Sequence, residues 1–383
     1  MPSVPPSSAP PAARRLAPAT VWRYASGSIA TGGFSTLPGL VLVYYLTDTL
    51  GVGVLLAGLV LVAAKVWDML IDPLLGALSD RDLARHGSRR RLMLVGGVLL
   101  PLAFMLTFAV PVGLAPGPAG TWVLLAFMLA ATGFSLFQVP YVTLPAEITA
   151  DYDERTRLLA WRVVALAAAI LLFGAGGPLL RAWAGGGPRG YLVMAAGAAL
   201  VFGVGMLVAR GAAPCRCAAP GVPPPAFMAG MLGHYRAGCA VLRESQPFRA
   251  LLGAYVLQAV AIGEMLAATS YAATWLLDAE DAVGALFAAL IAPALACTPL
   301  WGRLARRLGK QRVYLAASVL FVPGALALTG LAGASAHGVY AAVALCGVAY
   351  AAMQALPLAM LPDVIALDVR RGDRAGVFGG VWT

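Results

Sequence analysis

The chain has 383 residues, 60% of them hydrophobic and only 11% charged, with a mean hydropathy of +0.82. A soluble domain carries about 25% charged residues, so this is not a water-soluble globule. The net charge of +10 does not point to nucleic acid, because 24 of the 27 Lys and Arg fall in alternate loops and their helix ends.

Ten segments reach the roughly 20 apolar residues needed to span a bilayer: 22–47, 53–78, 92–112, 121–146, 158–181, 190–209, 249–277, 282–303, 312–333 and 338–361. They predict an all-α polytopic membrane protein whose solvent is lipid. The basic residues gather in the N-terminus, 79–91, 151–162, 210–249, 303–312 and 370–374. Only Arg181 and Arg189 fall in loops on the other side, which instead carry Asp48, Asp278, Glu280 and Asp281. By the positive-inside rule the N-terminus is cytoplasmic. The expected partners are the bilayer and a small-molecule solute, with no nucleic acid and a monomeric chain. Cys297 and Cys346 lie within helices, and Cys215, Cys217 and Cys239 in a cytoplasmic loop where thiols stay reduced. Cys215-x-Cys217 has no second pair at metal-ligand spacing.

In chain order, residues 1–20 are rich in Pro, Ala and Ser and read as a disordered cytoplasmic tail. An N-terminal six-helix bundle is expected over 21–209, a Pro-rich basic connector over 210–248 and a C-terminal bundle over 249–383. The first helix is rich in glycine around Thr31, Gly32 and Gly33, which permits close helix approach. Pro38 is expected to kink it.

The second helix carries Lys65, Asp68 and Asp72 at i, i+3 and i+7, one face of a helix. A charge at the bilayer centre costs about 3 kcal/mol on insertion scales. The trio is therefore expected to face the bundle interior, pair internally and line something wet. A structural Lys65–Asp68 ion pair is the simpler reading. A second carboxylate on the same stripe favours an ion or proton site. The helix is expected to end before a loop holding Asp80, Arg81, Arg85, Arg89, Arg90 and Arg91.

The fourth helix carries Ser135, Gln138, Pro140, Tyr141 and Pro145, then runs into Glu147, Asp151, Asp153, Glu154, Arg155 and Arg157. The prolines predict either a helix broken beside a central cavity, where freed carbonyls meet a solute, or a plain bend before a charged loop. Arg162 begins the fifth helix. Glu264 lies mid-span in the seventh and is a functional candidate by default.

The two halves resemble each other. Residues 139–157 match 356–374 at a constant offset of 217, pairing Pro140 with Pro357, Pro145 with Pro362, Asp151 with Asp368 and Arg157 with Arg374. Tandem halves with a site between them are a common plan of secondary transporters. By the same offset Thr383 maps to Leu166, so the second half is expected to be incomplete: ten full helices and the start of an eleventh.

Gly76 to Arg81 followed by Gly87-Ser-Arg89-Arg90 resembles the loop signature of the major facilitator superfamily. Trp67-Asp68-x3-Asp72-Pro73 running into it is similar to the glycoside–pentoside–hexuronide:cation symporters and the related lysolipid symporters. Tyr44-Tyr45-x-Thr47-Asp48, the Pro140–Glu147 segment and Arg162 fit as well, so the resemblance runs from about residue 20 to the end. It implies a major facilitator fold of two six-helix halves and symport of a small organic solute, a sugar or glycoside, in a bacterial inner membrane.

It also implies cation binding by Asp68, Asp72 and Ser135, with Gln138 beside them. Thr31, Gly32, Lys65, Gln138, Tyr141, Arg162 and Glu264 are the solute-binding candidates. Asp80, Arg81, Arg89 and Arg90 would meet Glu147 and Arg157 in a cytoplasmic gate. Melibiose-type members carry acidic residues where this chain has Gly32 and Gln138, and an amide where it has Ile71, which argues against a galactoside. The coupling ion is H⁺ or Na⁺ and no other cofactor is implied. Losing an oxygen ligand at Ile71 favours H⁺. Lysolipid transport and a transport-inactive scaffold or sensor are the alternatives. No HExxH, Walker A or GxSxG pattern supports an enzyme.

Overall fold

The computed structural model describes residues 15–149, 151–215, 240, 242–279, 282–329 and 336–368. Ten helices among them are long and apolar enough to cross a membrane. They are α1 (Pro18–Tyr44), α2 (Val54–His86), α3 (Arg90–Phe108), α4 (Pro116–Ile148), α5 (Tyr152–Trp183), α6 (Gly187–Arg210), α7 (Gln246–Tyr271), α8 (Ala282–Leu308), α9 (Lys310–Thr329) and α10 (Ala336–Asp368). The expected start of an eleventh helix, Cys217, Cys239, Glu280 and Asp281 lie outside the described residues.

Several boundaries differ from expectation. α2 does not stop near residue 78. It runs to His86, so Asp80, Arg81 and Arg85 lie on helix, not loop. Gly87 then ends it in the left-handed region at φ 65°, donating its N–H to Leu83 O at 2.8 Å. A Cβ would strain that conformation, which glycine adopts freely. α4 is not broken: it continues through Pro140 and Pro145 to Ile148. Thr143 Oγ1 donates to Pro140 O at 2.9 Å, a local bond within the helix, while the carbonyls that Pro140 and Pro145 leave without an N–H donor are those of Leu136 and Tyr141. Pro38 likewise sits inside a continuous α1. Arg181, expected in a loop, is in the last turn of α5 and only 4% exposed.

α1 is the hub of the first six helices. Its buried row, including Tyr24, Phe34, Leu37 and Leu40, packs against α5 and α6. Phe34 meets Phe104, Phe127 and Phe134 from α3 and α4. α3 and α4 approach at Gly96 and Gly133, where an added Cβ would come within 2.6 Å of backbone atoms of the facing helix. Such small residues substitute for a hydrophobic driving force between helices in lipid. In the second group α10 packs against α8 and α9.

Both groups end their first helix in a π-helical turn, Tyr45–Thr49 after α1 and Ala272–Leu276 after α7. The groups meet here. Ser270 Oγ donates to Leu40 O at 2.8 Å, Thr274 Oγ1 donates to Tyr44 Oη at 3.0 Å, and the Thr47 and Tyr271 hydroxyls lie 2.7 Å apart. α5 and α8 close on each other alongside, where a Cβ on Gly284 would sit 2.8 Å from Ala175 O. These contacts all lie at the end of the bundle opposite Asp80, Arg89 and Glu147.

Candidate functional site

α2 is held to α4 by one stripe. Ile71 and Leu75, with Trp67, pack on Leu136 and Val139, and Trp67 Nε1 donates to Thr132 Oγ1 at 2.9 Å. Asp68 stands one position along from this stripe and is half-buried. Its Oδ2 is 3.5 Å from Lys65 Nζ, while its Oδ1 is buried with no hydrogen-bond partner. Lys65 and Asp72, seven residues apart, share a line on the exposed edge of the stripe. Beyond them α2 presents exposed apolar side chains such as Val62, Val66 and Met69.

Of the expected mutual pairing of the trio, only the Lys65–Asp68 contact is present. The Lys65 side chain is 78% exposed, and a pair so open contributes little stability. Among the described residues Asp72 has no ion-pair partner. A structural pair leaves Asp68 Oδ1 unexplained, since buried polar atoms are normally satisfied.

Ser135, 3% exposed, lies on α4 between the α2-facing stripe and Gln138. Gln138 turns toward α1, where its Oε1 accepts from Thr31 Oγ1 at 2.8 Å. Gly32 is spent on packing: a Cβ there would sit 2.9 Å from both Ala169 Cβ and Leu166 O of α5. The acidic side chain found in melibiose-type members has no room at this spot.

Tyr141 is fully buried, its hydroxyl donating to Tyr24 O and lying 2.8 Å from Ser28 Oγ. Its ring stacks on Tyr24 and Phe137, and the Arg162 guanidinium sits 5.4 Å over it. These contacts make Tyr141 a strut between α1, α4 and α5, with its hydroxyl already engaged. Arg162 is half-buried beside it.

Glu264 is exposed on α7. It stands seven residues, two turns, before Tyr271, whose ring meets Tyr44 of α1. Glu264 thus lies on the face of α7 that looks toward the first six helices, about 10 Å along the axis from their contact. The structure does not bring it into an ion pair among the described residues.

The charged turn between α2 and α3 is bonded within its own half. Arg89 Nε donates to Glu147 Oε1 at 2.6 Å and Nη2 to Asp80 Oδ1 at 2.7 Å; a third bond goes to Ser79. Burial pulls the Arg89 pKa down, but bonding to Glu147 and Asp80 outweighs it and holds the group above its ordinary value. Arg90 Nε donates to Ala213 O at 2.8 Å, just past α6. Arg81 is half-buried on α2, and Arg157 pairs with Glu154 at 3.3 Å. The expected link between this turn and the segment after α4 exists through Arg89 and Glu147. It forms although the halves meet at the other end, so it does not require a closed gate.

Sequence reasoning missed three groups. Arg181 Nη1 donates to Tyr191 Oη at 2.9 Å and lies over the rings of Tyr44 and Tyr191. Thr47 and Thr274 join the halves. The near-repeat of a threonine in each helix-ending turn was the signal that could have found them.

A family model described as MFS/sugar transport protein matches residues 23–383. YagG of Escherichia coli strain K12, named as a candidate glycoside/cation symporter, is 32% identical over 148 residues, 39% of this chain and 32% of that protein. The sodium-dependent lysophosphatidylcholine symporter 1-A of Danio rerio is 31% identical over 150 residues, 38% of this chain and 27% of that protein. The alignments thus span about a third or less of those relatives' length. Among solved structures, the inward open conformation of the E. coli xylose transporter XylE superposes with a TM-score of 0.58 at 16% identity, covering 95% of this chain and 85% of that one.

Proposed function

We infer that this chain, which belongs to the MFS/sugar transport protein family, is a multi-pass membrane transporter that couples uptake of a small organic solute to a cation. The observation that carries the reading is Asp68: a carboxylate inside a span, with one oxygen loosely paired to an exposed Lys65 and the other buried and unsatisfied. A group kept in that condition has a use for a visiting positive charge. Asp72 is one turn away on the same helix, and Ser135 and Gln138 of α4 are the neutral oxygen ligands of this reading.

The coupling ion is H⁺. Asp68 Oδ1 can be satisfied by a single proton, whereas Na⁺ wants several oxygens at once. Sodium remains the second reading, favoured by the sodium-dependent relative. The solute is a sugar or glycoside, in keeping with the name of YagG. A lysolipid is the alternative, and a transport-inactive scaffold the reading from a different class.

With the N-terminus on the cytoplasmic side of a bacterial inner membrane, as the loop charges indicate, the contact between the halves closes the outer end. Alternating access then consists of breaking that contact and closing the end that carries Glu147. A cation contributes only through its different affinity for the two arrangements. Lys65, Thr31, Arg162 and Glu264 are the proposed solute contacts along this path, with Arg81 and Arg90 at its inner end.

Uptake into proteoliposomes tests this with a pH gradient and a sodium gradient applied separately, for wild type and Asp72→Asn. Solute accumulation driven by the pH gradient and lost in the variant, with normal membrane insertion, is expected. Undiminished uptake in Asp72→Asn would refute the site. Accumulation with sodium alone would replace the proton.

A further inference from the structure

The membrane-crossing stretch of the first helix starts at Pro18 and that of the fifth at Arg157. Between these starts lies a cavity of about 620 Å³ lined by Arg15, Leu16, Ala17, Pro18, Glu154 and Arg157. The transport path does not use this cavity. Its wall carries two guanidinium groups and one carboxylate. Glu154 is 9% exposed and already engaged: it accepts the Leu16 N–H at 3.1 Å and an Arg157 N–H at 3.3 Å. Its charge is thus taken up inside the wall. Arg15 is exposed, and the Arg157 side chain is 39% exposed, with donors to spare.

One turn deeper into the span the same two helices present a pair of tryptophans. Trp161 follows Arg157 by four residues, so the two share a face of α5, and Trp22 follows Pro18 by four on α1. Their ring centroids are 4.6 Å apart. Both are exposed, Trp22 at 58% and Trp161 at 36%, on a surface otherwise suited to lipid. Arginine at the edge of a span with tryptophan about 6 Å deeper follows the layering of a bilayer interface: phosphate outside, glycerol and first methylenes inside.

We propose that this cavity holds the headgroup of one anionic phospholipid. Arg15 and Arg157 bind the phosphate through charge-assisted hydrogen bonds, and the Trp22–Trp161 pair packs against the glycerol backbone. The excess of positive charge in the wall selects against a choline headgroup, whose own cation would face two guanidiniums. A free phosphate ion would satisfy the arginines and leave the tryptophans without a role. The site is independent of the coupling ion and of the solute.

The test uses the full chain in detergent, with phosphatidylglycerol or phosphatidylcholine added and retained lipid read by mass spectrometry of the intact protein. About tenfold preference for phosphatidylglycerol is expected. It should fall to within about twofold in Arg15→Gln/Arg157→Gln, and partway in Arg15→Gln alone. Arg15 is exposed ahead of the first helix, so that single variant keeps the fold. Brominated phosphatidylglycerol should quench tryptophan emission less in Trp22→Phe, and inorganic phosphate should not displace the lipid. Equal retention of the two lipids by wild type, a preference that survives both arginine variants, or displacement by inorganic phosphate would each overturn the proposal.

Discussion

Arg89 Nε lies 2.6 Å from Glu147 Oε1, tying the turn after α2 to the last turn of α4. The side chains are 8% and 14% exposed. Removing one member of such a pair strands the other, at a cost of about 3 kcal/mol. Glu147→Ala is therefore expected to lower the thermal unfolding midpoint in detergent clearly, and Asp80→Ala less, because Asp80 is 61% exposed. The sign of the pH dependence follows from the raised Arg89 pKa. Its contribution is fully present below the ordinary arginine range and lost only as pH climbs through the higher value. The Arg89 contribution should hence be the same in unfolding scans at pH 6 and pH 8. An unchanged midpoint in Glu147→Ala would remove the pair from the account.

Tyr141 offers a way to separate a strut from a solute contact. Tyr141→Phe removes the donor to Tyr24 O and the contact with Ser28 while keeping the ring stack. Leaving a buried carbonyl and hydroxyl short of a partner costs about 1–3 kcal/mol. A lower unfolding midpoint with unchanged apparent solute affinity is expected. A tenfold loss of affinity at constant midpoint would restore Tyr141 to the solute path.

Gly32 tests the packing of α1 on α5. A Cβ would meet Ala169 Cβ and Leu166 O at 2.9 Å, one of them backbone that cannot turn away. Gly32→Ala is expected to destabilise by about 1–3 kcal/mol as an overpacking substitution, and Gly32→Asp to fail in assembly. Both can be followed by size-exclusion profiles and unfolding midpoints in detergent. A well-assembled Gly32→Asp would show that the two helices separate easily.

The bundle was legible in the sequence because the bilayer imposes a length and polarity on each helix that a window of residues reveals. Helix ends were less so. Asp80, Arg81 and Arg85 look like loop by composition, yet the helix holds until Gly87 takes the left-handed conformation that ends it. The prolines of α4 left a break and a bend equally open; the helix runs on through both, because a span packed among neighbouring helices tolerates the loss of two N–H donors. At the site, spacing placed Asp68 and Asp72 on one face. It could not reveal that Lys65 points to the exposed edge, or that Gly32 and Tyr141 are committed to helix contacts. Those are properties of α4 and α5, remote in sequence. Arg181 escaped notice because a charge at a helix end normally turns to water, whereas here Tyr44 and Tyr191 cover it.

The contact between the two π-helical turns gives the most direct test of alternating access. Thr47 and Tyr271 are joined by hydroxyls 2.7 Å apart, with Tyr44 and Thr274 alongside. If transport requires this end to open, a covalent bridge must stop it. Thr47→Cys/Tyr271→Cys, joined by a short bifunctional thiol reagent, is expected to lose net uptake in proteoliposomes and regain it on reductive cleavage. Solute binding from the opposite end should survive, because the proposed solute contacts lie beyond the bridge. The uncross-linked double variant lacks the hydroxyl contact, so this end should open more readily and react faster with impermeant thiol reagents. Full uptake by completely bridged protein would mean that the halves do not part here, and the transport cycle inferred from this contact would have to be abandoned.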